Sequence, residues 1–333
     1  MMAVSNRVLI SKLQAMTHAC LKDLVTDAPL ALIDFPDIRN CGDSAIWLGE
    51  MAYLKERYAK RPAYVSRMSD FSAEDLKATV PEGPIFIHGG GNFGDIWPSH
   101  QDFRERVIER FPDRQIIQFP QSIHFQSEAR AEQAARVIGR HKNFVLLVRD
   151  EESRDFAERL FDCEVRLCPD MAFCIGPIER AVNPTHAVLA MLREDSEKVG
   201  DHDVSAYPTM PVEDWITESR RSVRVSKLIG LASAYVTFHP REARLRLLDA
   251  AAHNRFRRGV RQISRGHAIV TDRLHVHIVS LLLGIPHAVL DNNYGKIRRF
   301  MAAFSDGTDL SYQATSLADG IEWARAQSEG AGR

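Results

Sequence analysis

The chain has 333 residues, 45% of them hydrophobic and 26% charged, with a formal net charge of -1. That is the make-up of an ordinary soluble globular protein, too long for one typical core, so two domains are expected. The near-neutral balance excludes a global attraction to nucleic acid, and the five cysteines lack zinc-like pairing.

The N-terminus, MMAVSNRVLISKLQAMTHACLKDL, contains no continuous apolar h-region. Elsewhere IVSLLLGIPHAVL is too short to span a bilayer and is interrupted by Gly284 and Pro286. Cys163, Cys168 and Cys174 sit in an apolar, strand-like region and read as core thiols. A reduced, cytoplasmic protein is the expectation.

Along the chain, apolar strand-like runs alternate with charged, helix-periodic stretches. LALIDFP, AYVSRM, PIFIHG, RQIIQFPQS, NFVLLVRD and EVRLCPDMAF are the strand candidates of the first half, with DFRERVIERF and SEARAEQAARVIGR among the helices between them. This alternation predicts βαβ units and a mainly parallel sheet. The pattern breaks at CIGPIERAVNPTH, where Gly176, Pro177, Asn183 and Pro184 read as a linker. It resumes with HAVLAMLRED, SAYVTFHP, a long Arg-rich helix, HAIVTD, a short helix and IPHAVLD, and closes on the helix SLADGIEWARAQSEG. Two Rossmann-like α/β domains, 1–178 and 179–333, facing a cleft are therefore expected. In open α/β sheets ligands bind beyond the carboxyl ends of the strands, so the strand ends carry the functional reading.

After the first strand comes IRNCGDSAIWLGEM. Asn40 and Gly42 fit a turn, Asp43 or Ser44 an N-cap, and AIWLGEMAYL a helix, whose first amides can hold an anion or a sugar hydroxyl. In PIFIHGGGNFGDIW, Gly89, Gly91 and Gly94 match the dinucleotide spacing. The match lies several strands into the fold and no acidic residue ends the following strand, so a nicotinamide site is rejected. Gly89, Gly90 and Gly91 still allow a backbone to approach a ligand closely, and Asn92 and Asp95 add polar groups. Arg149 ends a buried strand and can bind phosphate or carboxylate in bidentate fashion; Arg193 repeats that placement in the second half. In IVTDRLHVHIVSLLLGIPHAVLDN, Thr271 or Asp272 can cap a helix whose first turn holds Arg273, Leu274 and His275, where the amide dipoles favour an anion. His275 and His277 cannot share a metal from one helix, because residues two apart do not face each other.

Together NCGDSAI, HGGGNFGD, VRDEES, LCPDMAF, LRED, TDRLHVHIVSLLLGIPHAVLDN and YGKI, in this order, resemble the polysaccharide pyruvyl transferase family over roughly residues 30 to 305. The resemblance implies a GT-B-like fold and transfer of a pyruvyl group from phosphoenolpyruvate to hydroxyls of a sugar in a polysaccharide or lipid-linked precursor. It places Arg149, Arg273 and His275 at the donor, with Leu274 inside the same Arg-Leu-His element. The Asn-x-Gly-Asp element falls on Asn40, Gly42 and Asp43, and the glycine loop on Gly89 to Asp95. Segment 195–225 matches little and is a place for acceptor specificity.

The residue types suit that chemistry. Phosphoenolpyruvate carries phosphate and carboxylate, which arginines and a helix N-terminus hold. Ketal formation requires protonating the enol carbon, a task for an imidazole, here His275; neither a metal nor a cofactor beyond the co-substrate is called for. The stretch REARLRLLDAAAHNRFRRGVRQISR can face an acidic, lipid-linked acceptor at the inner face of a membrane, or simply water. Two other readings stay open: a glycosyltransferase using a nucleotide sugar, and a non-catalytic glycan- or anion-binding protein.

Overall fold

The computed structural model describes residues 6–194, 202–216, 224, 228–232, 239–291 and 295–330. Strands β1 (Ala31–Ile33), β2 (Tyr64–Val65), β3 (Ile85–Ile87), β4 (Gly90–Gly94), β5 (Ile116–His124), β6 (Phe144–Val148) and β7 (Glu164–Leu167) form one parallel sheet in the order β2-β1-β3-β5-β6-β7. β4 continues beside β3 along the later part of β5, pairing Gly90 with Gln121 and Gly94 with His124. A second parallel sheet has the order β12-β11-β10-β8-β9, from β8 (His186–Met191), β9 (Val212–Glu213), β10 (Gly266–Thr271), β11 (His287–Val289) and β12 (Ser311–Gln313). Residues 176–185 connect the sheets. β1, β3 and β6 are buried along their whole length, which is why they read as unbroken apolar runs rather than as alternating ones.

Most expected strands lie where the hydrophobic runs place them. The glycine loop, read as a turn, is itself the strand β4, because backbone pairing with β5 needs no side chains. β9 and β12 are too short to leave a periodic trace. SAYVTFHP falls mainly on residues 233–238, outside the described residues, as do 195–201, 217–223 and 225 of the segment suggested for acceptor choice.

The helices are α1 (Asn6–Leu21), α2 (Cys41–Tyr58), α3 (Ala73–Thr79), α4 (Pro98–Arg110), α5 (Glu128–Gly139), α6 (Glu151–Leu160), α7 (Pro240–Ile263), α8 (Leu274–Leu283), α9 (Lys296–Phe300) and α10 (Leu317–Gly330). One buried apolar cluster joins Trp47, Phe86 and Phe119 to Leu189, Ile269 and Val289, so both sheets share a core. The Arg-rich stretch is α7, and much of its charge is engaged within the chain. Arg255 donates to the Pro36 carbonyl and pairs with Asp37, Arg258 donates to the carbonyls of Arg39 and Trp215, and Arg244 pairs with Asp70. α7 thus ties the loop after β1 to the loop after β9, while Arg241, Arg257 and Arg261 stay exposed. Among the described residues no helix is long and apolar enough to cross a membrane.

Candidate functional site

The carboxyl ends of strands from both sheets open on one cavity of about 310 Å³. Its cationic end is built by Arg149 after β6 and by the turn after β10. Arg149 is buried; its Nε donates to Ser122 Oγ at 3.0 Å and its Nη1 to Asp170 Oδ2 at 2.5 Å. His275, on the second residue of α8, points its Nε2 to within 3.4 Å of the same carboxylate oxygen and 3.5 Å of Arg149 Nη1. Asp170 therefore joins a strand end of the first sheet to a helix start of the second. Burial alone would push its carboxyl up, but the hydrogen bond and charge of His275, with Arg149, outweigh that and hold it well below the usual carboxylate range. Asp170 Oδ1 meanwhile accepts from the Ala172 amide at 2.9 Å, which fixes the carboxylate plane.

Arg273 repeats the device. Its Nη2 donates to Asp214 Oδ2 at 2.5 Å, and both side chains are buried. The same Asp214 oxygen accepts from the Glu194 amide, and Asp272 Oδ1 accepts from the Arg193 amide, each at 2.9 Å. Two carboxylates thus pin the chain at Arg193, whose side chain lines the cavity. A buried charge is tolerated only when paired and hydrogen-bonded, which explains why Arg149 and Arg273 each arrive with a carboxylate from another loop.

The opposite wall comes from the loop after β1 and from the glycine loop. Asn40 caps α2 and accepts from the Gly42 amide at 2.9 Å; the cap expected at Asp43 or Ser44 lies about one helical turn earlier in the chain, leaving Asp43 in the first turn and on the cavity. Gly42 does not line the cavity, but its missing side chain matters. A Cβ there would sit 2.6 Å from Cβ, Cγ and Nδ1 of His275, so only glycine lets α2 and the turn that holds His275 approach this closely. Asp34 adopts a left-handed backbone with φ 66°, is buried, and accepts from His100 Nδ1 at 3.1 Å. Its Oδ1 is buried without a partner among the described residues. His88, at the end of β3, lies 2.9 Å from the buried Glu50, which also accepts from the Gly89 amide. Burial would lower the His88 imidazole, but the Glu50 charge and hydrogen bond outweigh it and raise it.

Of the residues singled out from sequence, Arg149, Arg193, Arg273, Leu274 and His275 meet Asn40, Asp43, Gly89, Gly91 and Asn92 around this cavity. Four do other work. Asp95 accepts from the amides of Gln126 and Ser127 in the loop before α5, away from the cavity, while Ser127 itself caps that helix. Gly90 and Gly42 stand behind the wall. Gly94, part of the dinucleotide-like spacing, is required by the sheet: with φ 127°, a Cβ would fall 1.7 Å from the His124 carbonyl oxygen. Sequence reading did not single out Asp34, His88, His100, Trp97, Asp214 or Trp215. Asp170 stood inside the quoted LCPDMAF without a role, and its Pro-Asp after a strand was the signal available.

His277 has no part in the cavity. Its Nδ1 is 2.7 Å from His287 Nε2 and its Nε2 is 3.0 Å from Ser305 Oγ, while His287 Nδ1 donates to the Ile285 carbonyl. The contact between the two rings requires that one of the two facing nitrogens carries no proton, so the rings cannot both be charged. Burial, with the neighbouring ring, holds His277 well below its ordinary value, and burial pushes His287 down to about 4.

Comparisons with known proteins give the chain's family. The profile of the family described as polysaccharide pyruvyl transferase matches residues 40–294. The chain is 34% identical over 301 residues to pyruvyl transferase 1 of Schizosaccharomyces pombe, covering 84% of this chain and 71% of that one. It is 28% identical over 284 residues to EpsO of Bacillus subtilis, designated a candidate pyruvyl transferase, covering 82% and 84%. An uncharacterised Klebsiella pneumoniae protein of known structure shares the fold, with a TM-score of 0.58 at 20% identity over 91% of this chain and 99% of that one. With most of its length matched and the matched strand ends gathered round one cavity, the chain belongs to the polysaccharide pyruvyl transferase family and is a pyruvyl transferase.

Proposed function

We propose that the enzyme takes its pyruvyl group from phosphoenolpyruvate and places it as a ketal on two hydroxyls of a sugar, in a polysaccharide or a lipid-linked precursor, on a GT-B-like pair of lobes. The observation that carries this is the convergence of Arg149, Arg273 and His275 on one cavity at the N-terminus of α8. Such a set suits a small, multiply charged donor with a phosphate and a carboxylate. Arg193 extends the same cationic end.

His275 acts as the acid. Its proton goes to the methylene carbon of the enol, and the adjacent carbon gains oxocarbenium character. A sugar hydroxyl attacks that carbon and gives up its proton; phosphate then leaves with the electron pair of its C–O bond, and a second hydroxyl closes the ring. Of the two hydroxyl protons, one balances the proton placed on carbon and the other leaves with phosphate. Arg149 and Arg273 stabilise the donor's charge and that of the departing phosphate. Asp170 holds His275 and Arg149 in register for this step. The acceptor lies against Asn40, Asp43, Gly89, Gly91 and Asn92. Any contact with an anionic lipid surface in the cytoplasm falls to the exposed Arg241, Arg257 and Arg261, and salt-sensitive vesicle binding is its measure.

The test is phosphate release and product mass with phosphoenolpyruvate and a panel of lipid-linked or aryl galactosides, glucosides and mannosides. Acceptor-dependent phosphate release with a pyruvate-ketal mass gain is expected. Sugar transfer from a nucleotide donor instead would replace this reading with that of a glycosyltransferase, and phosphoenolpyruvate binding without turnover would favour a binding protein.

A further inference from the structure

Arg104, on α4, is only 1% exposed and does not line the cavity, yet it reaches three amide side chains. Its guanidinium lies over the Phe93 ring, 4.4 Å from the centroid. Nε donates to Gln118 Oε1 at 2.6 Å, Nη1 to Gln101 Oε1 at 2.7 Å and Nη2 to Asn92 Oδ1 at 2.8 Å. A guanidinium can only donate, so every amide it touches must turn its oxygen inward.

Gln121 imposes the same orientation on Asn92. Its Oε1 accepts from the Asn92 backbone amide at 3.1 Å, which makes its Nε2 the donor to Asn92 Oδ1 at 3.0 Å and to the His88 carbonyl at 3.1 Å. Two donors therefore hold the Asn92 oxygen. The amide nitrogen has no partner among the described residues, and Asn92 lines the cavity.

We infer that Arg104 sets the polarity of the glycine-loop wall, holding Asn92 with its amide nitrogen toward the cavity so that it donates to a hydroxyl oxygen of the acceptor sugar. This rests on the transfer reading above. Charge places the sugar rather than the donor here: the loop after β1 contributes Asp34 and Asp37 against one arginine, Arg39, and the first turn of α2 adds Asp43, whereas Arg149, Arg193 and Arg273 come from the ends of β6, β8 and β10. A hydroxyl is the group that can accept from Asn92 and donate to a neighbouring carboxylate. Asn92 is then a binding residue, and Arg104 a positioning residue that acts through it.

The sharp variant is Asn92→Asp. The new carboxylate still receives Arg104 and Gln121, so the fold keeps its contacts, but an acceptor atom replaces the donor that faces the cavity. Acceptor KM is measured with whichever aryl glycoside supports turnover, and phosphoenolpyruvate Kd by calorimetry without acceptor. A rise of at least about tenfold in acceptor KM is expected, the size of one lost hydrogen bond, with phosphoenolpyruvate Kd within about threefold. Arg104→Met should raise acceptor KM in the same direction by less, with donor Kd unchanged; if it fails to fold, Asn92→Asp decides alone. An unchanged acceptor KM in Asn92→Asp overturns the inference, as does a loss of donor binding as large as the loss of acceptor binding. A wild-type enzyme that releases no phosphate from phosphoenolpyruvate with any acceptor overturns the transfer reading, and this inference with it.

Discussion

Two histidines stand two residues apart on α8 and live in different chemistry. His275 faces the cavity, within reach of a buried carboxylate and an arginine from the other sheet. His277 points the opposite way, into a buried pocket against His287 and Ser305, where burial and the neighbouring His287 ring hold its imidazole well below its ordinary value. The helix period alone separates them, since successive residues turn by about 100° and residues two apart cannot share a face. What the difference teaches is that an imidazole is defined by its partners. Beside a carboxylate and an arginine at a cavity it is placed to meet a ligand; buried against another ring and a hydroxyl it is a core residue with a polar edge.

Breaking that comparison is the way to test it. The largest effect is expected from His275→Ala, with phosphate release falling about 10³-fold, as for loss of a general acid. His277→Leu should leave kcat within about threefold and show its cost in thermal melting instead, roughly 2 kcal/mol for the orphaned partners. If both variants lost turnover equally while folded, the separation of roles would be wrong.

The next comparison is between the carboxylates. Asp170→Asn and Asp214→Asn each break a buried pair and should each cost about 3 kcal/mol of stability. Asp170→Asn should in addition lower kcat at least about tenfold more than Asp214→Asn, because only Asp170 also holds the proposed acid. Steady-state kinetics beside urea melts would separate the two effects. Gly42→Ala should then lower kcat by about 10²-fold, since its Cβ would displace His275 by the order of an ångström. A Gly42→Ala enzyme with normal turnover would mean that the two halves adjust freely around this turn.

A separate effect is on acid stability. The imidazole of His287 is pushed by burial down to about 4 from its ordinary 6.5, and that of His277 is also lowered. Between those values the unfolded chain binds a proton that the folded chain does not, so stability is full above pH 6.5 and falls as the pH drops toward about 4. The loss for His287 is on the order of 3 kcal/mol. Asp170, whose carboxyl is lowered, contributes in a separate window below the usual carboxylate range. Imidazole NMR on the folded protein checks this: both buried rings should remain neutral at pH 5, and a charged His287 there would refute it.

Much of the site was legible because strand ends in parallel α/β sheets are marked locally. An apolar run that stops at Arg149, or at Asp272 and Arg273, announces both the buried strand and the group it delivers. The caps were less legible. Asn40, not Asp43 or Ser44, caps α2, because the chain begins to coil as soon as β1 and its loop are cleared, and Asn, Asp and Ser all satisfy the same amides. Asp95 read as a site residue because it follows the glycine loop, but a short acidic side chain serves a loop amide as readily as a ligand. The arginines of α7 looked unpartnered in sequence, since Asp37 and Asp70 lie far away along the chain.

By itself the sequence determined the periodicities, hence the strands, helices and parallel sheets, and the order of motifs that identifies the family. It also determined which residue types were available at the strand ends. Only the tertiary structure decided their partners. Arg149 and His275 are separated by 126 residues and meet on one oxygen of Asp170, Arg273 finds Asp214 across 59, and Asn92 takes its orientation from an arginine on another element. The reason is physical: secondary structure follows from local geometry and burial pattern. Whether a charged or amide group is buried, paired or turned toward a ligand depends on donors and acceptors brought together only when the two sheets close on their common core.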